Sequence, residues 1–259
     1  MASWTKIYML EEPKLEKPVL VQGLPGLGFV GKLTVTYLID ELKLKPFARL
    51  YSTHLTLLDG STGVHINSNG TFFLPKLEFY AYNQKKPNIV FLTGDTQPTV
   101  YGQYEVAEYV LDFVQKYGCE RVIAVGGFQT PFERELGRVY GVYNKPHLAE
   151  ELKSLGIHIT RSGAITGACG VILGLGDQRN LESVGLLGAT KGEYPDMEAA
   201  RGVLKVLSKI LNLEVDLSRI NREIEEMKRR LESLHRIQTE TIERFPTREL
   251  RRGPSPFYV

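Results

Sequence analysis

The sequence has few cysteines, little net charge and no long apolar run. Its 259 residues include only two cysteines, Cys119 and Cys169, too few for a disulfide scaffold or a four-cysteine zinc site, which indicates a reducing compartment. Lysine and arginine number 32 against 30 aspartate and glutamate, so no net field favours a nucleic acid as partner. No apolar run approaches the ~20 residues of a membrane span, and the N-terminal residues lack the pattern of a secretion signal. We therefore expect a cytoplasmic protein that binds neither nucleic acid nor membrane.

Short apolar runs alternate with longer segments of helical period from Pro18 to about Asn212. This pattern is typical of an α/β domain built on a largely parallel sheet flanked by helices. The predicted strands are Val19 to Gly23, Ala48 to Leu58, Glu78 to Tyr82, Asn88 to Thr93, Arg121 to Gly126, Val139 to Tyr143, Ile157 to Thr160 and Val184 to Ala189. The predicted helices are Phe29 to Leu42, Gln103 to Lys116, Pro146 to Leu155, Ala168 to Leu175 and Met197 to Leu211.

A second module begins after Leu213, where glycine disappears until Gly253 and charged residues become dense. Apolar residues then recur at alternating spacings of three and four, which predicts a coiled-coil-like oligomerisation helix. Its seam consists of Leu217, Ile220, Ile224, Met227, Leu231 and Leu234. An amphipathic helix lying back on its own domain is the alternative. The predicted domains are an α/β core over 1–213, the long helix over 214–245 and a flexible, proline-rich tail over 246–259.

A glycine-rich turn joins the first predicted strand to the first helix. Gly26, Gly28 and Gly31 form the spacing GxGxxG, as in a dinucleotide-binding turn. The next strand offers no acidic residue to hold a ribose. Lys32 follows as in a P-loop, but Leu33 stands where a magnesium-binding hydroxyl is needed. The pattern therefore predicts a tight turn with close packing, whose amides could bind an anion.

Two further residues could carry chemistry. Asp95 follows an apolar strand, at the end where parallel sheets usually bind ligands, although Asp in such a turn more commonly satisfies backbone amides. Cys169 lies near a predicted helix N-terminus, but no histidine is placed to act as its base. The histidines and cysteines show no metal-ligand spacing. We predict no catalytic residue, no cofactor and no metal, and retain Gly26, Gly28, Gly31 and Asp95 as a candidate ligand-binding turn.

Four stretches carry a resemblance to a known family: GLPGLGFVGK, GDTQP, GACGVILGLG and ATKGEYPDMEAARGVLKVL. In this order and spacing, from Pro18 to Leu213, they resemble the proteasome-assembly-chaperone-2 family, particularly its archaeal homologues. The resemblance implies a domain similar in fold to purine nucleoside phosphorylases that serves as a protein-binding scaffold. The alternative is a nucleoside- or nucleotide-binding enzyme that uses the glycine-rich turn and Asp95.

The last three residues, Phe257, Tyr258 and Val259, are similar to the hydrophobic-Tyr-any-residue ending by which proteasome activators dock on the core particle. By that resemblance, Phe257 and Tyr258 would enter a pocket between neighbouring α-ring subunits. The Val259 carboxylate would pair with a pocket lysine. A homo-oligomer of four or five copies, as homologues suggest, would present several tails at once and gain avidity. We therefore expect an ATP-independent proteasome-binding factor, either an assembly chaperone or an activator.

Overall fold

The computed structural model describes residues 3–192, 195–226 and 229. The chain divides into two units after Asp216. The strands of the first unit are β1 (Thr5–Met9), β2 (Val19–Gln22), β3 (Pro46–Ser52), β4 (His65–Ile66), β5 (Phe72–Phe73), β6 (Leu77–Tyr82), β7 (Ile89–Gly94), β8 (Arg121–Gln129), β9 (Val139–Tyr143), β10 (His158–Ile159) and β11 (Glu182–Thr190). Its α-helices are α1 (Val30–Glu41), α2 (Gln103–Gln115), α3 (Leu148–Ser154), α4 (Gly167–Gln178) and α5 (Met197–Ile210).

Nine of the described strands form one mixed sheet in the order β1-β3-β6-β7-β2-β8-β11-β9-β10. The four central strands β7, β2, β8 and β11 are parallel neighbours, and so are β9 and β10. The pairs β1–β3, β3–β6, β6–β7 and β11–β9 are antiparallel. The α/β class is thus confirmed, while the sheet is mixed rather than largely parallel. Residues 83–88 alone join β6 to β7, which permits a hairpin but is too short for the crossover of a parallel pair.

Helices cover both faces of this sheet. α1 packs against α5, and α2 packs against α4. Two glycines of β11 show that these pairs lie on opposite faces. A Cβ at Gly188 would come within 3.0 Å of Val30 in α1, whereas a Cβ at Gly185 would come within 3.0 Å of Leu173 in α4. Because both faces are covered, β2 and β7 are buried along their whole length, which explains their continuous apolar sequences.

The structure differs from the predicted elements around β3 and at three short strands. The strand predicted from Ala48 to Leu58 ends at Ser52, because the Ser52 hydroxyl accepts a hydrogen bond from the His54 amide (3.1 Å) and begins a turn. β1 lies at the sheet edge with mostly exposed side chains, so its sequence TKIYM has no apolar run. β4 and β5 contain two residues each, too few for any period to be visible.

The second unit is described for residues 217–226 and 229. Residues 218–226 are helical, with Ile220 and Ile224 both buried and one turn apart. The other predicted seam residues, Met227, Leu231 and Leu234, lie outside the described residues, as does the predicted tail. The oligomerisation seam and the domain limits therefore stay predictions. In the part of the chain that the structure describes, no helix is both long and apolar enough to span a bilayer.

Candidate functional site

A crevice of about 450 Å³ opens at the carboxyl edge of the central strands. Its walls are the loop after β2, the ends of β8 and β11, and the segment 164–169 that leads into α4. The chain leaves β2 towards α1 on one face of the sheet, whereas α4 lies on the other face. Connections that diverge to opposite faces leave a gap between them, and ligands of α/β sheets usually bind in such gaps.

The three glycines of the predicted turn have different roles. A Cβ at Gly31 would overlap a main-chain oxygen of β8, so this glycine lets α1 pack directly on the sheet. Gly28 has a φ of +58°, and a Cβ there would lie 2.8 Å from the Thr190 hydroxyl. Gly26 is extended, and a Cβ there would lie 3.4 Å from Gln97 Nε2, in ordinary contact. Gly26 and Gly31 line the crevice, whereas Gly28 does not.

Asp95 lies outside the lining of the crevice, beside Lys76. Its carboxylate accepts hydrogen bonds from the Lys76 amide and ammonium, both at 3.4 Å. The Lys76 ammonium also lies 3.8 Å from the carboxylate of Glu78. Burial lowers the pKa of the nearby Lys32 ammonium, against the opposing effect of Asp95 and Glu78. The structure therefore places Asp95 and Lys32 in one charged cluster and separates them from the crevice that Gly26 lines.

Two glutamines that are not among the predicted site residues shape the crevice. Gln97 donates from Nε2 to the Pro25 carbonyl (2.6 Å) and accepts the Ala168 amide through Oε1 (3.2 Å). Gln22, at the end of β2, is 4% exposed and donates to the Ala168 carbonyl (3.0 Å). Gln22 therefore links the end of β2 to the first turn of α4, and Gln97 links the loop after β2 to the same turn. The sequence signal that could have identified Gln22 is an uncharged polar residue at the end of an apolar strand, as in VLVQG.

Cys169 lines the crevice from the first turn of α4. Burial raises the pKa of its thiol to about 12, so the thiol is protonated at neutral pH and is a poor nucleophile. Among the described residues, no histidine, carboxylate or ammonium lines the crevice. Nor do the described residues contain a group of three His, Cys, Asp or Glu side chains that could hold a metal. The arrangement is a preformed uncharged crevice in which the amides of Gln22 and Gln97 hold the walls together.

The predicted docking tripeptide, Phe257, Tyr258 and Val259, lies outside the described residues. Its role therefore stays a prediction. The described residues form the α/β domain to which this tripeptide would be attached.

Comparison with known proteins gives a family and several close structures. The PAC2 family model matches residues 20–235. The crystal structure of Pyrococcus furiosus PbaB, described as an archaeal proteasome activator, is 36% identical with a TM-score of 0.82, and the match covers 89% of this chain and 98% of that chain. Pyrococcus furiosus PbaA, described as an archaeal homolog of proteasome-assembly chaperone, is 28% identical with a TM-score of 0.77, covering 93% and 96%. The uncharacterized protein MJ1210 of Methanocaldococcus jannaschii is 33% identical over 88% of this chain and 87% of its own length.

Proposed function

Because this chain belongs to the PAC2 family, we propose that it is a homo-oligomeric, ATP-independent cytoplasmic factor that binds the proteasome core particle. The observation that carries the proposal is the likeness to PbaB, an archaeal proteasome activator, over 89% of the chain. The likeness to PbaA, a homolog of proteasome-assembly chaperone, supports the same class of function. Activator and assembly chaperone are the two forms that this function could take.

The described lining of the crevice does not bring together the residues of the enzymatic alternative, since Gly26 lines it and Asp95 does not. Acid–base catalysis needs a titratable group within hydrogen-bond reach of the reacting atoms. In the described lining the one titratable group is the Cys169 thiol, which burial keeps protonated by raising its pKa to about 12. Asp95, on which the hypothesis of a nucleoside- or nucleotide-binding enzyme depends, is hydrogen-bonded to Lys76.

The C-terminal residues Phe257, Tyr258 and Val259 form the docking motif in this proposal. An aromatic side chain with a polar tip buries a large area for little loss of rotamer freedom, and a terminal carboxylate beside a lysine adds a charge-assisted hydrogen bond. One such tail binds weakly. Several tails on one homo-oligomer reach neighbouring pockets of the α ring together, and linkage of this kind strengthens binding by about 100-fold or more.

The test is co-sedimentation of the full-length protein with a purified archaeal core particle. We expect Tyr258→Ala, or deletion of the last three residues, to abolish co-sedimentation while the mass of the free oligomer stays unchanged. Ser255→Ala is the matched control, because it alters the same tail and leaves the tripeptide intact; it should bind like the wild type. An alanine appended after Val259 should also weaken binding, since it moves the carboxylate away from its cation.

Unchanged co-sedimentation of the Tyr258→Ala protein would contradict the docking role of the tripeptide. Peptide hydrolysis by the core particle, measured in the same mixtures, separates the two forms of the function. An activator raises the hydrolysis rate in a Tyr258-dependent manner, whereas an assembly chaperone binds without raising it.

A further inference from the structure

A second pocket, of about 480 Å³, adjoins the crevice beside α4. Its walls are α4, β9, β11 and the segment 160–165 that follows β10. Four residues line both the pocket and the crevice, namely Phe128, Ala164, Ile165 and Leu187. The pocket differs from the crevice because two charged side chains, those of Arg161 and Asp177, belong to its described lining. We call this cavity the α4 pocket.

The wall of the α4 pocket is largely apolar. Side chains from β8, β9, β11, α4 and the segment before α4 contribute to it, namely Phe128, Val142, Leu187, Leu173 and Ile165. Pockets that hold small molecules have volumes of about 300–1,000 Å³ and mostly apolar walls with a few polar groups. The α4 pocket therefore has the size and the wall of a small-molecule site.

Gly174 leaves a space in the α4 pocket that the packing of the chain does not require. A Cβ at Gly174 would meet no atom of the described neighbouring segments within 4 Å. A Cβ at Gly170, one turn earlier, would instead overlap the main-chain oxygen of Ile165. Glycine inside a helix lowers the stability of the helix relative to alanine. Close packing thus explains Gly170, whereas the effect of Gly174 is to enlarge the pocket.

Two hydroxyl groups in the lining have no hydrogen-bond partner in the described chain. Ser183 is 3% exposed, and its unpartnered Oγ lies beside Gly176, where β11 meets α4. Thr160 Oγ1 is likewise buried and unpartnered. Buried polar groups of native proteins are nearly always hydrogen-bonded to protein or to ordered water. A polar ligand, or water held with it, would supply partners that the chain itself does not.

The charges of the α4 pocket favour an anion that carries a single charge. Among the described side chains, none forms an ion pair or a hydrogen bond with the Arg161 guanidinium. Asp177 already accepts a hydrogen bond from Asn144 Nδ2 at 2.8 Å. A guanidinium binds a carboxylate through two parallel hydrogen bonds. A dianion such as a phosphate monoester would bring a second negative charge into the pocket that contains Asp177, which opposes its binding.

We propose that the α4 pocket binds a small monocarboxylate with an apolar body. The carboxylate pairs with Arg161, and the apolar body lies along α4 at Leu173 and Gly174. This inference goes beyond the proposed function and is independent of it, because its test involves neither the core particle nor the C-terminal tripeptide.

The experiment is isothermal titration calorimetry of the full-length protein with sodium octanoate. Octylamine and 1-octanol, which share its chain length, are the comparison probes. We expect octanoate to saturate at one molecule per chain and to bind more tightly than either. Arg161→Gln should weaken octanoate binding by about 10-fold or more, because it removes a charge-assisted hydrogen bond. Arg134→Gln is the matched control, since Arg134 is exposed and does not line the pocket.

A second variant tests the position of the site without removing a charge. Gly174→Leu fills the pocket with a side chain that the helix accommodates, so octanoate binding should be lost. Gln178→Leu is the matched control, because it adds the same side chain to an exposed position of α4 outside the lining. Octanoate should raise the Tm of the wild type and of Gln178→Leu, but not that of Gly174→Leu. Without ligand, a Tm within a few degrees of the wild type shows that each variant is folded.

The absence of saturable octanoate binding at millimolar concentrations would overturn the proposal. Unchanged binding by the Gly174→Leu protein would overturn it too, because the site would then lie elsewhere. Equal affinities for octanoate and 1-octanol, or unchanged binding by Arg161→Gln, would contradict the pairing of the carboxylate with Arg161. Tighter binding of octylamine would contradict the anionic class of ligand and assign the pocket to a cation.

Discussion

The crevice and the β4–β5 hairpin lie at the same edge of the sheet, yet they use their side chains in opposite ways. In the crevice, the amides of Gln22 and Gln97 are hydrogen-bonded to the backbone of neighbouring segments. On the hairpin, Ile66 and Phe72 are more than 70% exposed and cover little of their own domain. The crevice therefore contributes to folding, whereas these two side chains of the hairpin contribute little to it.

This difference predicts that substitutions in the crevice reduce the free energy of unfolding, whereas substitutions at Ile66 and Phe72 change it little. The largest effect is expected at Gly31. A methyl group at Gly31 would overlap backbone of β8, so Gly31→Ala should lower the free energy of unfolding by about 3 kcal/mol. Gly26→Ala is the matched control from the same turn, where the new methyl finds ordinary contact, and should change stability by less than about 1 kcal/mol. Urea unfolding measures both, and equal losses would refute the different roles of these glycines.

A smaller loss is expected at Gln97. Gln97→Leu leaves the Pro25 carbonyl and the Ala168 amide without their side-chain partner, at a cost of about 1 to 2 kcal/mol. Gln103→Leu is the control, because Gln103 makes a single long bond of 3.4 Å to the Pro98 carbonyl. Urea unfolding of the two variants gives the difference, and a Gln97→Leu protein as stable as the control would show that the crevice walls hold without this tie.

A still smaller, pH-dependent effect is expected at Glu105, whose carboxylate lies beside Thr5 and His54. The hydrogen bond from Thr5 (2.6 Å), aided by Ser3 (2.9 Å) and His54 (3.3 Å), holds the pKa of Glu105 below its ordinary value. A lowered carboxyl pKa stabilises the fold above the pKa of the unfolded chain, and this stability is lost as the pH falls through the folded pKa. Glu105→Gln should therefore lose about 1 kcal/mol at pH 7 and less at pH 3.

Chemical unfolding at the two pH values measures this effect. Glu150→Gln, at an exposed position of α3, is the control and should behave like the wild type at both. A loss that is equal at pH 7 and pH 3 would mean that the charge of Glu105 does not contribute.

The smallest effect on folding is expected at Phe72 of the β4–β5 hairpin. Phe72→Ala should change the free energy of unfolding by less than about 0.5 kcal/mol, because the side chain is 73% exposed in the single chain. The measurement belongs at protein concentrations below those at which the wild type associates. A loss above about 1.5 kcal/mol would mean that Phe72 packs on its own domain, and the contrast between the two regions would fail.

The parts of the fold that the sequence predicts are those in which local pattern and burial agree. β2, β7 and the core of β8 are apolar because helices cover both faces, so their sequences carry a strong signal. β1 is an exposed edge strand, and β4 and β5 are held by the contacts of Phe73 with His65 and Lys76. Strands that are held by contacts with residues distant in the sequence show no alternation of apolar and polar residues from which they could be predicted.

The candidate site shows the same limit. The GxGxxG spacing correctly indicates a tight turn at the strand end, because glycine at Gly31 is required by a close approach of α1 to β8. The separation of Asp95 from the crevice depends on its bonds with Lys76, 19 residues earlier in the chain. The role of Gln97 depends on Ala168, 71 residues later. Contacts over such distances follow from the strand order, which the sequence does not reveal.

The Gln97 amide group has a mechanical consequence. The planar amide group of Gln97 binds the Pro25 carbonyl and the Ala168 amide at the same time. It therefore links the loop after β2 to the start of α4. A displacement of one wall relative to the other therefore breaks at least one of these two bonds. The segment that leads to α1 on one face of the sheet and the start of α4 on the other face are thus linked at this edge.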